Sequence, residues 1–185
     1  MEIDLASASP RRKELLSLIT EHFTVCPADA DETLRDAPLG EEVTRLSRLK
    51  AEAVQAQHPN AVCIGSDTMV TIDGLRLGKP KDADEAASML RRLRGRTHEV
   101  LTGLAVLTPD GAHTLHTCTR VTFRDFAEDE LAAYLATGEP LDKAGAYGIQ
   151  GHGALLIKGI EGDYYSVMGL PVAPLYTILR DIHAV

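Results

Sequence analysis

The sequence has 185 residues, 44% of them apolar and 25% charged, and a formal net charge of −8 from 19 Lys and Arg against 27 Asp and Glu. That length supports one sizeable core or two small lobes sharing a cleft. The acidic balance makes nucleic acid a poor partner by bulk electrostatics, and no apolar run approaches the roughly 18 residues that span a bilayer, so neither nucleic acid nor a membrane is expected. The N-terminus, M-E-I-D-L-A-S-A-S-P-R-R, lacks the apolar region of a signal peptide. Cys26, Cys63 and Cys118 are widely spaced, odd in number and form no C-x-x-C pair. Neither a zinc site nor a disulfide framework is expected from them, and a reducing cytoplasm fits best.

Residues 2–6 read as a short strand running into S-A-S-P. Pro10 opens a helix to about residue 19, with Ser9 as its N-cap. A short strand near 23–26 precedes the polar loop D-A-D-E-T-L-R-D-A-P and a helix over roughly 41–57. Residues 61–65 have the pattern of a buried strand, ending in Ser66-Asp67-Thr68. Asp73-Gly74 marks a hairpin turn. Asp82 and Glu85 mark a helix start with reciprocal capping, and that helix ends near Arg94-Gly95. Two long strands, about 97–108 and 112–124, are joined by Pro109-Asp110-Gly111. A short helix over about 127–137 stops at Gly138. The glycine-rich stretch A-G-A-Y-G-I-Q-G-H-G leads to a strand near 155–160. The last helix starts near Pro171, with Leu175, Ile178, Leu179 and Ile182 on one face. This is an α/β pattern, a mixed sheet with helices on its faces in a single domain over 1–185.

In S-A-S-P-R-R-K a strand end, a turn of small residues and a helix N-terminus follow one another, which makes an anion site. Ser7 and Ser9 add hydroxyl donors; Arg11, Arg12 and Lys13 add positive charge. The same residues could be an N-capped surface helix with solvated bases, although three cations in a first turn oppose the helix dipole and favour a bound anion. Lys50 lies within an apolar stripe of Val43, Leu46, Ala53 and Val54. It either snorkels to water or meets a buried anion. Asp67, at the carboxyl end of its predicted strand, is placed as a metal ligand, a general base or both, or as a turn cap. Glu32, with Asp29 and Asp31, is either solvated or a carboxylate for Mg²⁺. Lys79 sits in the rigid turn G-K-P, facing phosphate or open surface; no Walker A loop occurs. His113 and His116 are three apart on a strand, point to opposite faces, and read as structural. Cations that hold a polyphosphate, with carboxylates for a metal and for activating water, are what phosphoanhydride hydrolysis needs.

Five motifs, L-A-S-A-S-P-R-R, D-E-T at 31–33, G-S-D-T at 65–68, G-K-P at 78–80 and K-A-G-A-Y-G-I-Q-G at 143–151, resemble those of the Maf proteins in order and spacing. The resemblance runs from about residue 5 to G-L-P-V at 169–172. It implies a mixed twisted sheet flanked by helices, with two lobes around a central cleft, similar to inosine triphosphate pyrophosphatases. It also implies hydrolysis between the α and β phosphates with a divalent metal, Mg²⁺ first and Mn²⁺ or Co²⁺ as alternatives. By position, Asp67 matches the family's catalytic acidic residue and, with Glu32, its metal site. Ser7, Arg11, Arg12, Lys50 and Lys79 match phosphate-facing positions. Arg11, Thr68 and Gln150 resemble the members acting on dTTP and UTP. The 7-methyl-GTP group carries Trp after the Pro, another residue after the Asp, and Glu in place of the Gln. Ser66 departs from the Ala of many pyrimidine-acting members. The implied activity is cleavage of dTTP or UTP, or of a modified pyrimidine nucleotide in a house-cleaning role, to the monophosphate and pyrophosphate. The alternatives are a nucleotide-sensing regulator of cell division and septum formation with incidental hydrolysis, and a phosphatase releasing single phosphates. A homodimer is implied by the resemblance alone.

Overall fold

The structure, a computed structural model describing residues 1–185, is a mixed α/β fold. In chain order the elements are β1 (Ile3–Leu5), α1 (Pro10–Ser17), β2 (Thr24–Val25), α2 (Leu39–Gln55), β3 (Val62–Ile72), β4 (Leu75–Leu77), α3 (Ala83–Leu93), β5 (Thr97–Thr108), β6 (Gly111–Phe123) and α4 (Glu128–Ala136). Short 3-10 turns at Glu139–Asp142, Ala144–Ala146 and Gly151–Leu156 lead to β7 (Ile157–Glu161), α5 (Tyr164–Met168) and α6 (Val172–Asp181). The seven-stranded sheet has the order β2-β1-β3-β5-β6-β7, with β4 paired to β3. It is mixed: β1 runs parallel to β2 and β3, whereas β4 and β7 pair antiparallel with β3 and β6. By internal contacts the chain divides into two units: residues Met1–Thr68, Leu101–Thr117 and Gly169–Val185, and residues Met69–Val100 and Cys118–Met168.

In the first unit, α1 starts where the sequence places it. Pro10 is at the first helical position and the Ser9 side chain accepts from the Arg12 N–H. Helix α2 buries Val43, Leu46, Ser47, Lys50, Ala51 and Val54, spaced as one face of a helix. The helix lies unusually close to the sheet because two glycines face it. A Cβ on Gly65 of β3 would stand 2.0 Å from the Ser47 carbonyl oxygen, and one on Gly103 of β5 would stand 2.2 Å from that of Val43. In α6, Leu175 and Leu179 are fully buried, with Ile178 and Ile182 half-buried beside them.

Strand β3 departs from expectation. It does not end at Ser66-Asp67-Thr68 but continues to Ile72. Thr68, Val70, Thr71 and Ile72 favour a pleated, half-buried surface, and the true end of the strand is the Asp73-Gly74 turn, both residues having positive φ (53° and 74°). Asp67 is therefore mid-strand. The neighbouring β1 has already left the sheet: its last register pair is Leu5 with Ile64.

In the second unit, β3 and β4 form the expected hairpin. Asp82 caps α3 by accepting from the Glu85 N–H. The return contact is displaced by one residue, since the Glu85 carboxylate accepts from Lys81 rather than Asp82. The core collects Val70, Leu90, Leu93, Val100, Phe123, Phe126, Leu131, Tyr134 and Tyr147. Each large apolar side chain taken from water contributes roughly 1.5–3 kcal/mol. Gly145 (φ 71°) packs so tightly on Val70 that a Cβ would meet its Cγ1 at 2.9 Å.

Candidate active site

In the first unit, side chains alternate across β3. Gly65 and Asp67 face α2, while Ser66 and Thr68 face the opposite side.

On the α2 side, the close approach at the two glycines brings Lys50 onto Asp67. Its Nζ donates to Asp67 Oδ1 at 2.6 Å and pairs with Glu32 Oε2 at 3.0 Å. Lys50 and Asp67 are each only 9% exposed, whereas Glu32 is exposed. Of the two fates the sequence allows for Lys50, the structure shows the buried anion. Asp29 and Asp31 do not join this cluster; Asp31 instead accepts from Thr33.

On the other side, the turn after β1 folds on itself. The buried Ser7 Oγ accepts from the Ser9 N–H at 3.2 Å and from Arg12 Nη1 at 3.2 Å. Arg12 also donates through Nε to the Gly169 carbonyl at 2.8 Å and through Nη2 to Thr68 Oγ1 at 3.4 Å. Burial pulls its pKa below the ordinary arginine value, opposed by the Asp67 and Glu32 carboxylates. Ser66, fully buried, has its hydroxyl 2.8 Å from the Gly103 carbonyl and 2.9 Å from that of Gly169. Thr68 Oγ1 lies 3.1 Å from Thr102 Oγ1. The sequence pointed to Ser7, Arg12 and Thr68, but it gave no sign of Gly169, Gly103 or Thr102 as their partners. Arg11, which precedes it in α1, is half-exposed.

The family model of the Maf-like proteins matches residues 2–182. The chain belongs to the Maf family. It is 52% identical over 180 residues to a dTTP/UTP pyrophosphatase of Bacillus velezensis, covering 97% of this chain and 95% of that protein. It is 51% identical over 178 residues to a dTTP/UTP pyrophosphatase of Moorella thermoacetica, covering 95% and 92%. Among solved structures, the Ham1 protein of Staphylococcus aureus is similar, with a TM-score of 0.49 at 19% identity over 68% of this chain and 73% of that one.

Two other residues singled out in this Maf chain lie in the second unit. Lys79 is exposed, in the turn after β4, and the Gly78 carbonyl before it accepts from the Gly145 N–H at 3.1 Å. Gln150 is exposed at the start of the Gly151–Leu156 turn. Glu139, which the sequence did not flag, organises that segment. Its carboxylate accepts from Tyr134 Oη and from the His152 and Gly153 N–H groups. Burial raises the Glu139 pKa, but these donors outweigh it and hold the group below the usual carboxylate value. His113 and His116 are exposed; His116 lies beside Gly40 and Thr44 of α2.

Proposed function

We propose that this chain is a metal-dependent nucleoside triphosphate pyrophosphatase that converts dTTP and UTP to the monophosphate and pyrophosphate. The observation that carries the reading is the buried Lys50–Asp67 pair with Glu32 on the same ammonium. The names of its curated relatives support the substrate class.

In the proposed reaction a water oxygen bonds to the α-phosphorus as the bridging bond to the β-phosphate breaks. Asp67 takes the water proton, a step that general bases accelerate by about 10²–10⁴-fold. Lys50 orients the Asp67 carboxylate through its 2.6 Å bond and presents positive charge to the charge that develops. Ser7, Arg11 and Arg12 at the start of α1 bind phosphate oxygens, favoured by the positive end of the helix dipole. Asp67 and Glu32 supply hard oxygen donors that already converge on one cation, the Lys50 ammonium, and so fit Mg²⁺, with Mn²⁺ or Co²⁺ as substitutes. When bound, such an ion offsets phosphate charge and orients the polyphosphate. The resemblance assigns Lys79 to phosphate and Arg11, Thr68 and Gln150 to specificity. Both Lys79 and Gln150 are exposed, which leaves their polar ends available to a ligand. The Gln150 amide offers both a donor and an acceptor to a pyrimidine edge.

The test is product analysis with dTTP, UTP, CTP, ATP and 7-methyl-GTP in the presence of Mg²⁺. One equivalent each of nucleoside monophosphate and pyrophosphate, fastest from dTTP and UTP, is the expected result. Stepwise release of single phosphates, or no turnover, overturns the reading, the latter in favour of nucleotide sensing. A preference for 7-methyl-GTP would remove the specificity assignment alone.

A further inference from the structure

Asp4 on β1 is 2% exposed, and a carboxylate that dry needs partners. Its partner is His58, whose Nδ1 lies 2.6 Å from the Asp4 Oδ2, and the Cys26 thiol stands beside the pair. The three donor atoms lie within 4.8 Å of one another, although the residues come from β1, from just after β2 and from just after α2.

The order of contacts is informative. A thiol nucleophile needs the imidazole beside it as base. Here the Asp4 carboxylate engages the imidazole Nδ1 at 2.6 Å, so that nitrogen is not free to act as base to the sulfur. Burial and the Asp4 charge push the Cys26 thiol up, the opposite of a reactive cysteine. What the arrangement does offer is one sulfur, one nitrogen and one oxygen within 4.8 Å of one another.

We propose that Asp4, Cys26 and His58 form a binding site for a divalent cation of the zinc class, with its fourth position open to solvent. Thiolate, imidazole and carboxylate are the donors such ions take in tetrahedral sites. The all-oxygen preference of Mg²⁺ directs that ion elsewhere. Binding replaces two protons: the thiol proton leaves to water, and the neutral imidazole changes tautomer, its proton passing through solvent from Nδ1 to Nε2 so that Nδ1 is free to ligate. The half-exposed Cys26 and His58 give the ion an entry path. The site is separate from Asp67: Asp4 is in register with Cys63 on β3, and Asp67 lies four residues further along that strand, about 13 Å at the strand rise. The ion ties the two-residue edge strand β2 and the end of α2 to β1, at the point where the loop carrying Glu32 begins.

The experiment titrates metal-stripped protein with Zn²⁺ by calorimetry and with Co²⁺ by absorption, where a thiolate ligand gives a charge-transfer band that carboxylates do not. Wild type, Asp67→Asn and Cys118→Ser are expected to show the band and one tight Zn²⁺ equivalent. Cys26→Ser, at a half-exposed position that tolerates the change, loses the band and binds Zn²⁺ on the order of 100-fold more weakly. Zn²⁺ raises the melting temperature of wild type but not of Cys26→Ser. No band in wild type, or a band that survives in Cys26→Ser, overturns the proposal, as does a band lost with Asp67→Asn.

Discussion

Lys50 separates a residue that packs from one that reacts. Its stem crosses the buried face of α2, yet its Nζ ends between Asp67 and Glu32 rather than in water. Breaking a buried ion pair by removing one partner strands the other charge. Lys50→Met is therefore expected to lower stability by about 2 kcal/mol, less than for a fully dry pair because both groups keep some access to water. Asp67→Asn removes the proposed base while keeping its size, and kcat is expected to fall on the order of 10²-fold or more with the fold intact. The double variant Lys50→Met/Asp67→Asn leaves no stranded charge. Thermal melts of the two single variants and the double one form a cycle. Additive losses would mean that the 2.6 Å contact is not an energetic pair, and an Asp67→Asn enzyme near wild-type rate would remove the base assignment.

At the scale of elements, the Lys50–Asp67 contact exists because α2 can rest directly on the sheet backbone at Gly65 and Gly103. A methyl group at Gly65 meets the Ser47 carbonyl, which is backbone and cannot swing away. Gly65→Ala is thus expected to cost about 3 kcal/mol, the upper range for overpacking, and to slow turnover by lifting Lys50 off Asp67. Normal activity and stability in that variant would show that α2 shifts without consequence. A second element is set by Glu139, whose carboxylate collects three donors around the segment that presents Gln150. Glu139→Ala leaves the His152 and Gly153 N–H groups and the Tyr134 O–H without their acceptor, a loss of about 2 kcal/mol, and is expected to raise KM for dTTP more than it lowers kcat. An unchanged KM would make Glu139 purely structural. The sequence made some of this legible. Ser9-Pro10 gave the start of α1, Asp73-Gly74 gave the hairpin, and Lys50 stood out on an apolar stripe because each is a local signal. The end of β3 was misplaced because Ser66-Asp67-Thr68 reads as turn chemistry when its partners are unseen. Glu139 was invisible because the donors to its carboxylate lie up to fourteen residues away, in a stretch where the glycines and Gln150 drew notice instead.

Across the molecule, the chemistry that sequence could not reveal lies in juxtapositions over long chain separations. Arg12 reaches Gly169, and His58 reaches Asp4. Widely spaced cysteines argued against a soft-metal site, yet folding sets Cys26 beside Asp4 and His58. His98 is the same kind of case in the second unit. It is 2% exposed, stacks edge-on against Phe123 and Tyr147, and contacts Tyr147 Oη through Nε2 at 2.7 Å. Its Nδ1 is buried with no hydrogen-bond partner, so nothing stabilises a second proton, and burial pushes its pKa down to about 4. An unfolded histidine titrates near its ordinary value of about 6.5. Between pH 6.5 and 4 the unfolded chain therefore binds the extra proton while the folded chain does not, and stability rises with pH across that window. The full contribution of His98 is present above about pH 6.5 and is lost progressively on acidification, reaching about 3 kcal/mol near pH 4. Urea unfolding at a series of pH values, on wild type and on His98→Gln, isolates this one group from the titrating carboxylates common to both. The wild-type stability curve is expected to fall more steeply than the variant's between pH 6.5 and 4, by up to one proton's worth of slope, and to run parallel to it above pH 7. Parallel curves throughout would mean that His98 takes up its proton in the folded state, and that the aromatic cage around it admits a charge its geometry gives no means to hold.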